Sequence, residues 1–367
     1  MSRMRLIVTG GGTGGHLFPG IALATAMQER VPGTQVLFIG TSRLLDQQAL
    51  AERGFELATL TCGGVKGLSV VSKVRSLLQL PLAVLAARRM LRRFRPDLVF
   101  GVGGYVTGPV LLAARTLGVP VVIHEQNSVP GMANRLAGRL ADRICISLPC
   151  EPAFPAAKTV QTGNPVRREI LTAAAGARPA AEVPTLLVLG GSQGAHRVNL
   201  LMLEAAEMLI AEGRPLRIIH QTGTADEAPV REGYQRIGAE AEVSAFIRDM
   251  AAVYRRADLA VSRAGATTLA ELAVMGVPAL VVPFPFAADN HQLTNGKYYE
   301  KAGGCVVFPE AALTGQFLGK VVSERLHNRE ELHTMAAKMR AMALPDAAAR
   351  IVDECLHLVS ARSGQPS

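Results

Sequence analysis

Short apolar runs alternate with longer amphipathic stretches along the whole chain. The run Leu-Ile-Val at residues 6–8 precedes a helix-like stretch at residues 19–30, and the alternation then continues. Nearly continuous aliphatic runs of this length are typical of strands that are buried on both faces of a parallel sheet. The sequence therefore predicts an α/β fold. In its first half the pattern predicts strands near 6–9, 36–40, 98–101, 121–124, 143–146 and 159–161.

A glycine-rich turn at residues 10–15 follows the first predicted strand, and His16 follows the turn. Glycine adopts positive φ and lets another group approach the backbone amides, while a helix N-terminus favours negative charge. The turn therefore predicts a site for phosphate or another anion. Its spacing also fits the dinucleotide fingerprint, but the strand at 36–40 ends without the carboxylate that would hold the ribose of NAD. No Gly-Lys-Ser/Thr follows, which excludes an ATP-type phosphate loop.

This glycine turn occurs twice in the chain. Residues 185–196 repeat residues 5–16, with an apolar strand, paired glycines, a later glycine and a terminal histidine. Further along each half, the pattern of residues 97–123 recurs at residues 258–281. A matched series in the same order indicates a duplicated architecture. We expect two doubly wound α/β domains, each with its glycine turn at the carboxyl end of its first strand, where open parallel sheets bind ligands.

The boundary between the two domains is predicted where Gly163 and the Asn164-Pro165 pair interrupt regular structure. We expect a second domain of residues 164–344. The last helix would return to the first domain, which then comprises residues 1–163 and 345–367. A chain of 367 residues exceeds one comfortable core and fits this division.

The composition favours a cytosolic protein with aliphatic strands. Hydrophobic residues make up 49% of the chain and aromatic residues only 4%. Five cysteines are scattered without a Cys-x-x-Cys pair, which favours reduced thiols over disulfides or a metal site. The N-terminal apolar run is too short for a signal peptide, and we expect no membrane-spanning segment, because none reaches about 20 apolar residues.

The net charge of +9 comes from the first half of the chain. Residues 1–163 carry 18 Lys and Arg against 8 Asp and Glu (+10), and residues 164–367 carry 21 against 22 (−1). Within residues 57–96, eight basic residues and no acidic one are interleaved with aliphatic residues. This pattern predicts docking on an anionic lipid surface; the alternative is a core helix with a solvated basic face. No aromatic stacking set accompanies the charge, so nucleic acid is not an expected partner.

Polar residues follow several predicted strands at the sheet edge where ligands bind. His-Glu-Gln-Asn at 124–127 ends one buried strand, and a second glycine-rich turn before Tyr105 ends another. Two polar stretches, 263–271 and 289–295, end strands of the second half. A buried strand rarely ends in so many polar groups unless a ligand or a loop satisfies them. Side chains such as Glu271 could accept hydrogen bonds from the hydroxyls of a sugar.

Seven motifs lie in order along the chain: Gly-Gly-Thr-Gly-Gly-His, His-Glu-Gln-Asn, Gly-Asn-Pro-Val-Arg, Gly-Gly-Ser-Gln-Gly, Phe-Ile-x-x-Met, Arg-x-Gly-Ala-x-Thr-x-x-Glu and Asp-Asn-His-Gln-x-x-Asn. Together they resemble the MurG family of peptidoglycan glycosyltransferases. The resemblance covers nearly the whole chain. It implies the GT-B fold, in which two Rossmann-like domains face a cleft.

The resemblance also implies a reaction and a location. The family moves N-acetylglucosamine from UDP-N-acetylglucosamine to the 4-hydroxyl of the muramyl sugar of undecaprenyl-pyrophosphoryl-muramyl-pentapeptide (lipid I), and so forms lipid II. The protein would lie peripherally at the cytoplasmic face of the bacterial inner membrane, with its basic apolar segment against the lipid. This location leaves room for contacts with other cell-wall synthesis proteins.

Residue roles follow from the same resemblance. The acceptor site in the first domain would consist of Gly14, Gly15, His16, Gly103, Gly104, Tyr105 and Asn134. The donor site would consist of Thr13, Asn127, Arg167, Ser192, Gln193, Ile247, Ala266, Thr267, Thr268, Glu271, His291 and Gln292. Among these, Glu271 would bind the ribose and Ile247 would offer its backbone to uracil. Two positions depart from the family, which often has Leu at Thr267 and Gln at His291.

The implied chemistry is an inverting displacement at the anomeric carbon, which needs a base for the attacking hydroxyl. His16 is the first candidate for this base and Glu125 the second; His16 could instead bind the pyrophosphate. The sequence contains no Asp-x-Asp pair to hold a nucleotide-bound metal. We therefore expect amides, a helix N-terminus and basic side chains to neutralise UDP, with no cofactor required.

One alternative function is a serine hydrolase. Residues 190–194 read Gly-Gly-Ser-Gln-Gly, which matches a Gly-x-Ser-x-Gly nucleophile elbow around Ser192, with His220 and His291 as candidate partners. The first copy of the turn has Gly12 in the place of the serine. This difference favours a backbone role for the turn over a nucleophile.

Overall fold

The structure is a computed structural model that describes residues 4–11, 14–61, 70–150, 153–176, 182–191, 194–213 and 215–363. It divides into two compact units. The first unit comprises Met1–Arg167 and Pro345–Ser367, and the second comprises Arg168–Leu344. The chain thus crosses between the units after Arg167, four residues later than the boundary expected from the sequence.

The first unit is built on a seven-stranded sheet in which every neighbouring pair of strands is parallel. The strands are β1 (Arg5–Gly10), β2 (Gln35–Gly40), β3 (Glu56–Thr59), β4 (Leu98–Gly103), β5 (Val121–Glu125), β6 (Arg143–Ile146) and β7 (Thr159–Gln161). Their order is β3-β2-β1-β4-β5-β6-β7. The helices are α1 (Gly14–Arg30), α2 (Leu44–Ala51), α3 (Val70–Phe94), α4 (Thr107–Thr116) and α5 (Met132–Leu140), with a 3-10 turn at Ala156–Lys158.

The second unit repeats this design with six parallel strands. Its helices are α6 (Arg168–Ala175), α7 (His196–Ala211), α8 (Glu227–Arg236), α9 (Met250–Arg256), α10 (Ala266–Met275), α11 (His291–Ala302), α12 (Gly315–His327) and α13 (Arg329–Ala341). Its strands are β8 (Thr185–Leu189), β9 (Arg217–Gln221), β10 (Glu240–Ser244), β11 (Leu259–Ser262), β12 (Ala279–Val281) and β13 (Cys305–Val307), in the order β10-β9-β8-β11-β12-β13. Two 3-10 turns lie at Ala288–Asn290 and Glu310–Ala312.

The core of the first unit lies on both faces of its sheet, as the continuous aliphatic runs predict. Successive side chains of a strand point to opposite faces, so Leu6 and Val8 join one apolar cluster and Ile7 joins the other. The last helix, α14 (Ala347–Ser363), packs against α1. It contributes Ile351 and other apolar residues to the first of these clusters. An ion pair of 2.7 Å between Arg143 Nε and Glu354 Oε2 joins α14 to the start of β6.

The described cysteines are buried free thiols: Cys145, Cys150, Cys305 and Cys355. Burial raises the pKa of Cys145 and of Cys305 to about 12, so these thiols stay protonated and act as small apolar residues of the core. Among the helices that the structure describes, none is long and apolar enough to cross a bilayer.

Candidate active site

Two glycine turns of the first unit pack against each other at the carboxyl edge of the sheet. Because β1 and β4 are parallel neighbours, the turns that follow them lie side by side. Gly103 and Gly104 have φ of +100° and +92°, a conformation that other residues rarely adopt. A Cβ at Gly104 would lie 2.9 Å from the carbonyl oxygen of Gly11. The close approach of the two turns therefore requires glycine at this point.

His16 lies near the N-terminus of α1, beside these turns, and is half-buried. A Cβ at Gly103 would lie 3.1 Å from its Cε1 atom, so the ring rests against bare backbone. Its Nδ1 is 3.1 Å from Oε1 of Gln126, the residue that follows β5. Its Nε2 makes no hydrogen bond with the residues that the structure describes. His16 thus offers one ring nitrogen at a turn suited to anions.

Behind His16 lies a buried polar network. Gln126 donates from Nε2 to the carbonyl of Val102 and approaches Nδ1 of His124, each over 3.1 Å. Nε2 of His124 is 3.0 Å from the carbonyl oxygen of Gly163 and 3.1 Å from Oγ of Ser147. Burial lowers the pKa of His124 to about 4, so this imidazole is neutral at neutral pH.

Glu125, the second candidate base, is 1% exposed and accepts hydrogen bonds at both carboxylate oxygens. Its Oε1 accepts from the backbone and side-chain nitrogens of Asn127, at 2.9 and 3.1 Å. Its Oε2 accepts from Nδ2 of Asn134 at 2.9 Å and from the amide of Gly131 at 3.3 Å. These contacts tie the loop after β5 to α5. They favour a structural role for Glu125 and leave His16 as the stronger candidate for the base.

Three further predicted residues of the first unit differ in exposure. Tyr105 is 54% exposed and stands free enough to meet a ligand, whereas Asn134 is buried and donates to Glu125 and to the carbonyl of His124. Arg167, predicted as a donor ligand of the second domain, belongs to the first unit. Its guanidinium lies 4.7 Å from the ring centroid of Phe18, on α1.

The glycine turn of the second unit, after β8, is held by Gln221 at the end of β9. Nε2 of Gln221 donates to the carbonyl of Gly191 at 3.0 Å, and its Oε1 accepts from the amide of Ile247 at 2.9 Å. One buried amide therefore connects the turn expected at the diphosphate to the backbone expected at uracil. A Cβ at Gly194 would lie 2.4 Å from the carbonyl oxygen of Thr222, so this turn also depends on glycine. The predicted ligands Thr13, Ser192 and Gln193 lie outside the described residues.

The polar stretch after β11 opens α10, whose first residues are Ala266, Thr267 and Thr268. Glu271, in the second turn of this helix, is only 4% exposed. The hydroxyl of Tyr254 donates to its Oε2 at 2.9 Å. A buried carboxylate held by a neutral donor keeps acceptor capacity for a second partner. This arrangement suits the recognition of a diol.

The last two predicted ligands, His291 and Gln292, are the first residues of α11 and adjoin the loop before it. Asp289 and Asn290 have φ of +54° and +52°, which turns the chain sharply into the helix. Nδ1 of His291 is 2.7 Å from the carbonyl oxygen of Ala288, and Oε1 of Gln292 accepts from the amide of Phe284 at 2.9 Å. The first two side chains of α11 thus hold the loop that precedes the helix.

Comparison with known proteins gives the family. The model of the glycosyltransferase family 28 N-terminal domain matches residues 6–146, and that of the C-terminal domain matches residues 185–351. A protein of Desulfotalea psychrophila named UDP-N-acetylglucosamine--N-acetylmuramyl-(pentapeptide) pyrophosphoryl-undecaprenol N-acetylglucosamine transferase is 49% identical over 98% of each chain. A protein of Geobacter sp. with the same name is 46% identical over 95% of each chain. The chain belongs to the MurG family.

Solved structures agree with this membership. The crystal structure of Acinetobacter baumannii MurG matches with a TM-score of 0.76 and 33% identity, over 96% of this chain and 99% of that one. The glycosyltransferase of kitacinnamycin, 20% identical, matches with a TM-score of 0.70 over 97% of this chain and all of that one, and so speaks for the fold alone. The predicted GT-B fold and the resemblance to the MurG family are confirmed.

The serine hydrolase alternative finds no support in this family or in the geometry of its histidines. His220 is buried, with Nδ1 2.8 Å from the hydroxyl of Tyr234 and Nε2 3.0 Å from Oδ1 of Asn199. Burial lowers its pKa to about 3, which makes it a poor proton acceptor. His291 is tied to a backbone carbonyl rather than to a carboxylate. Neither histidine has the contacts of a triad base.

Sequence reasoning noted Gln126 within the His-Glu-Gln-Asn stretch without giving it a role, and it missed Gln221 and Tyr254 as parts of the site. Each acts on another site residue, and none of them needs to touch a ligand. The only signal in the sequence was position, since both glutamines follow or end a buried strand. Which turn or ring each one meets depends on the order of the strands in the sheet.

Proposed function

We propose that the chain transfers N-acetylglucosamine from UDP-N-acetylglucosamine to the 4-hydroxyl of the muramyl sugar of lipid I, with inversion at the anomeric carbon, and so makes lipid II for peptidoglycan. The observation that carries the proposal is the open Nε2 of His16 beside two glycine turns, in a chain that belongs to the MurG family. The transfer needs a proton acceptor next to a pyrophosphate site. His16 and two glycine turns lie together at one sheet edge of the first unit, which supports both roles there.

In the proposed step, Nε2 of His16 takes the proton of the 4-hydroxyl as the oxygen attacks the anomeric carbon. The bond from that carbon to the diphosphate oxygen breaks, and UDP leaves with the electron pair. Inversion follows because the nucleophile and the leaving group lie on opposite faces of the sugar. The backbone amides of the glycine turns and the N-terminus of α1 would hold the acceptor pyrophosphate.

The second unit would hold the donor. The turn at residues 190–194 and the N-terminus of α10 would neutralise the diphosphate of UDP with amides and hydroxyls. Glu271 would accept hydrogen bonds from the ribose, and Ile247 would meet uracil. We propose that these groups suffice without a metal or another cofactor, since the chain lacks an Asp-x-Asp pair.

The first unit would also dock on the membrane, at the cytoplasmic face of the inner membrane. Leu82 and Leu85 on α3 are 68% and 52% exposed, and Met132 and Leu136 on α5 are 67% and 56% exposed. Both helices pack against α4.

Exposed arginines lie at the C-terminal end of α3 and just beyond it: Arg89, Arg92, Arg93 and Arg95. Apolar side chains with arginines nearby suit insertion among anionic headgroups. Lys66 lies outside the described residues.

The test is the product of the reaction. Purified protein is incubated with radiolabelled UDP-N-acetylglucosamine and a soluble lipid I analogue, and the product is isolated for NMR. The proposal expects label in the acceptor, with a β-linkage to the 4-hydroxyl. Free N-acetylglucosamine formed at the same rate with and without the acceptor would contradict it.

A further inference from the structure

We infer that Gln126 is a positioning residue: its side-chain amide fixes the tautomer of His16 so that Nε2 presents a lone pair at the site. The inference rests on the proposed function in one respect, namely that the proton which Nε2 receives comes from the 4-hydroxyl of the acceptor. The tautomer itself follows from donors and acceptors that span the carboxyl edge of the first sheet, from the loop after β7 to the start of α1.

The orientation of the Gln126 amide is set by a group that can only accept. The carbonyl of Val102 lies 3.1 Å from one end of the amide, so that end must be the NH2 group. Gln126 is 2% exposed, and turning the amide over would bring two oxygens together in a buried site. The carbonyl end, Oε1, therefore faces Nδ1 of His16.

The other end of the network gives the same orientation independently. Nε2 of His124 faces the carbonyl oxygen of Gly163 at 3.0 Å and must donate to it. Because His124 is buried and neutral, its Nδ1 then carries a lone pair. That lone pair, 3.1 Å from Nε2 of Gln126, accepts the second N–H of the same amide nitrogen. The carbonyls of Val102 and Gly163 thus both require the same orientation of the Gln126 amide.

The orientation of the Gln126 amide decides which ring nitrogen of His16 carries the hydrogen. Oε1 of Gln126 can only accept, so Nδ1 of His16 carries the hydrogen and Nε2 is the basic nitrogen. When Nε2 takes a proton, the bond from Nδ1 to Oε1 becomes charge-assisted and strengthens. An amide gives this orientation without adding a negative charge beside a site that is expected to bind pyrophosphate. A carboxylate in its place would repel that ligand.

The inference is tested by NMR of protein labelled with 15N in its histidine rings, without substrate. A protonated ring nitrogen and an unprotonated one resonate far apart, so the spectrum reports the tautomer directly. His16 is assigned from the signals that His16→Ala removes. We expect the neutral ring of His16 to carry its hydrogen on Nδ1, and His124 to carry its hydrogen on Nε2.

The variant Gln126→Met keeps an unbranched side chain of similar length and removes the amide. We expect the His16 signals to shift to a mixture of tautomers, and kcat to fall at least about tenfold while the KM for UDP-N-acetylglucosamine changes less than about twofold. The matched control is Gln28→Met. Gln28 lies on the same helix as His16, and among the described residues its amide hydrogen-bonds the carbonyl of Thr34 alone. This control should leave the His16 signals and kcat unchanged.

Two results would overturn the inference: a native His16 with its hydrogen on Nε2, or unchanged His16 signals in Gln126→Met. The first needs no variant, so the inference stays testable even if Gln126→Met fails to fold. Failure of the proposed function looks different. In that case the tautomer is as inferred, but the native protein transfers no N-acetylglucosamine to the lipid I analogue.

Discussion

His16 and His196 occupy the same place in the two sequence repeats, yet they have different surroundings. His16 is half-buried, rests against Gly103 and faces the neutral amide of Gln126. The side chain of His196 is 72% exposed, and its Nδ1 pairs with Oδ1 of Asp226 at 2.9 Å. A duplicated turn thus has one histidine beside a glycine-lined site and the other on the surface.

The difference shows that the neighbouring strand ends, and not the turn itself, decide the chemistry. The partner of His16 follows β5, which lies beside β4, whereas the partner of His196 lies just before α8, after β9. The sheet of the first unit therefore brings a polar network to its turn. In the second unit Asn199 and Tyr234 enclose His220, while Gln221 holds the turn through separate hydrogen bonds.

The largest expected effect is the loss of the base. His16→Ala should lower kcat by about 10² to 10⁴, the usual contribution of a general base. Its KM for UDP-N-acetylglucosamine should change little, because the proposed donor site lies in the second unit. Steady-state kinetics with a lipid I analogue measure both constants.

The matched control for this prediction is His196→Ala, which should keep kcat within about threefold, because an exposed ion pair contributes little. Equal losses in both variants would remove the distinction between the two turns.

The second expected effect concerns the surfaces of the two units. Replacing Leu82 and Leu85 together by Glu should weaken binding about a hundredfold to vesicles that contain anionic lipid. The change removes apolar contact and adds negative charges that the headgroups repel. Vesicle flotation measures the bound fraction.

The control variant is Leu200→Glu, on α7 of the second unit, where Leu200 is 39% exposed. It should bind vesicles as the native protein does. A double variant that floats like the native protein would contradict the assignment of the docking surface.

The third expected effect is a loss of stability in mild acid. Folding lowers the pKa of His124 to about 4 and that of His220 to about 3, from 6.5 in the unfolded chain. Above pH 6.5 neither state is protonated; below it, only the unfolded state takes up these protons. For each histidine, the free energy of unfolding should therefore fall by about 2 kcal/mol as the pH is lowered from 6.5 to 5.

Urea unfolding across this pH range measures the slope for native protein and for His220→Phe. The variant should lose the His220 share of the slope, whatever its stability at pH 7. A slope equal to that of the native protein would mean that His220 is not held neutral by burial.

The smallest expected effect lies at the proposed ribose site. Tyr254→Phe removes the hydroxyl that donates to Glu271, which loosens the orientation of the carboxylate. We expect the dissociation constant of UDP to rise about tenfold, because a less ordered carboxylate must then be fixed when the ligand binds. Isothermal titration calorimetry measures it.

Tyr234→Phe is a suitable control, because Tyr234 is also buried but bonds His220 rather than Glu271. It should leave UDP binding unchanged. If both variants bind UDP like the native protein, Glu271 does not depend on Tyr254.

The central strands of both units could be predicted because each is a continuous aliphatic run. The edge strands β3 (Glu56–Thr59) and β10 (Glu240–Ser244) were not predicted. Both mix polar and apolar residues and are only partly buried. A strand of this kind forms because the adjacent strand offers hydrogen bonds. The pattern of apolar and polar residues within the segment does not reveal which strand lies beside it.

The candidate site could be predicted only where a motif itself carries the chemistry. The glycine turns and His16 are visible as motifs, because a turn and its helix are contiguous in sequence. The roles of Gln126 and Tyr254 depend on contacts with residues 110 and 17 positions away. The boundary was expected too early because the Asn-Pro break at residues 164–165 marks an irregular segment that still belongs to the first unit.

The most direct test of this account is the release of UDP from UDP-N-acetylglucosamine by the purified native chain in EDTA, with and without a lipid I analogue. The account predicts rapid release that requires the acceptor and persists in the chelator. Release that does not depend on the acceptor, or no release although UDP binds, would contradict the proposed transfer to lipid I.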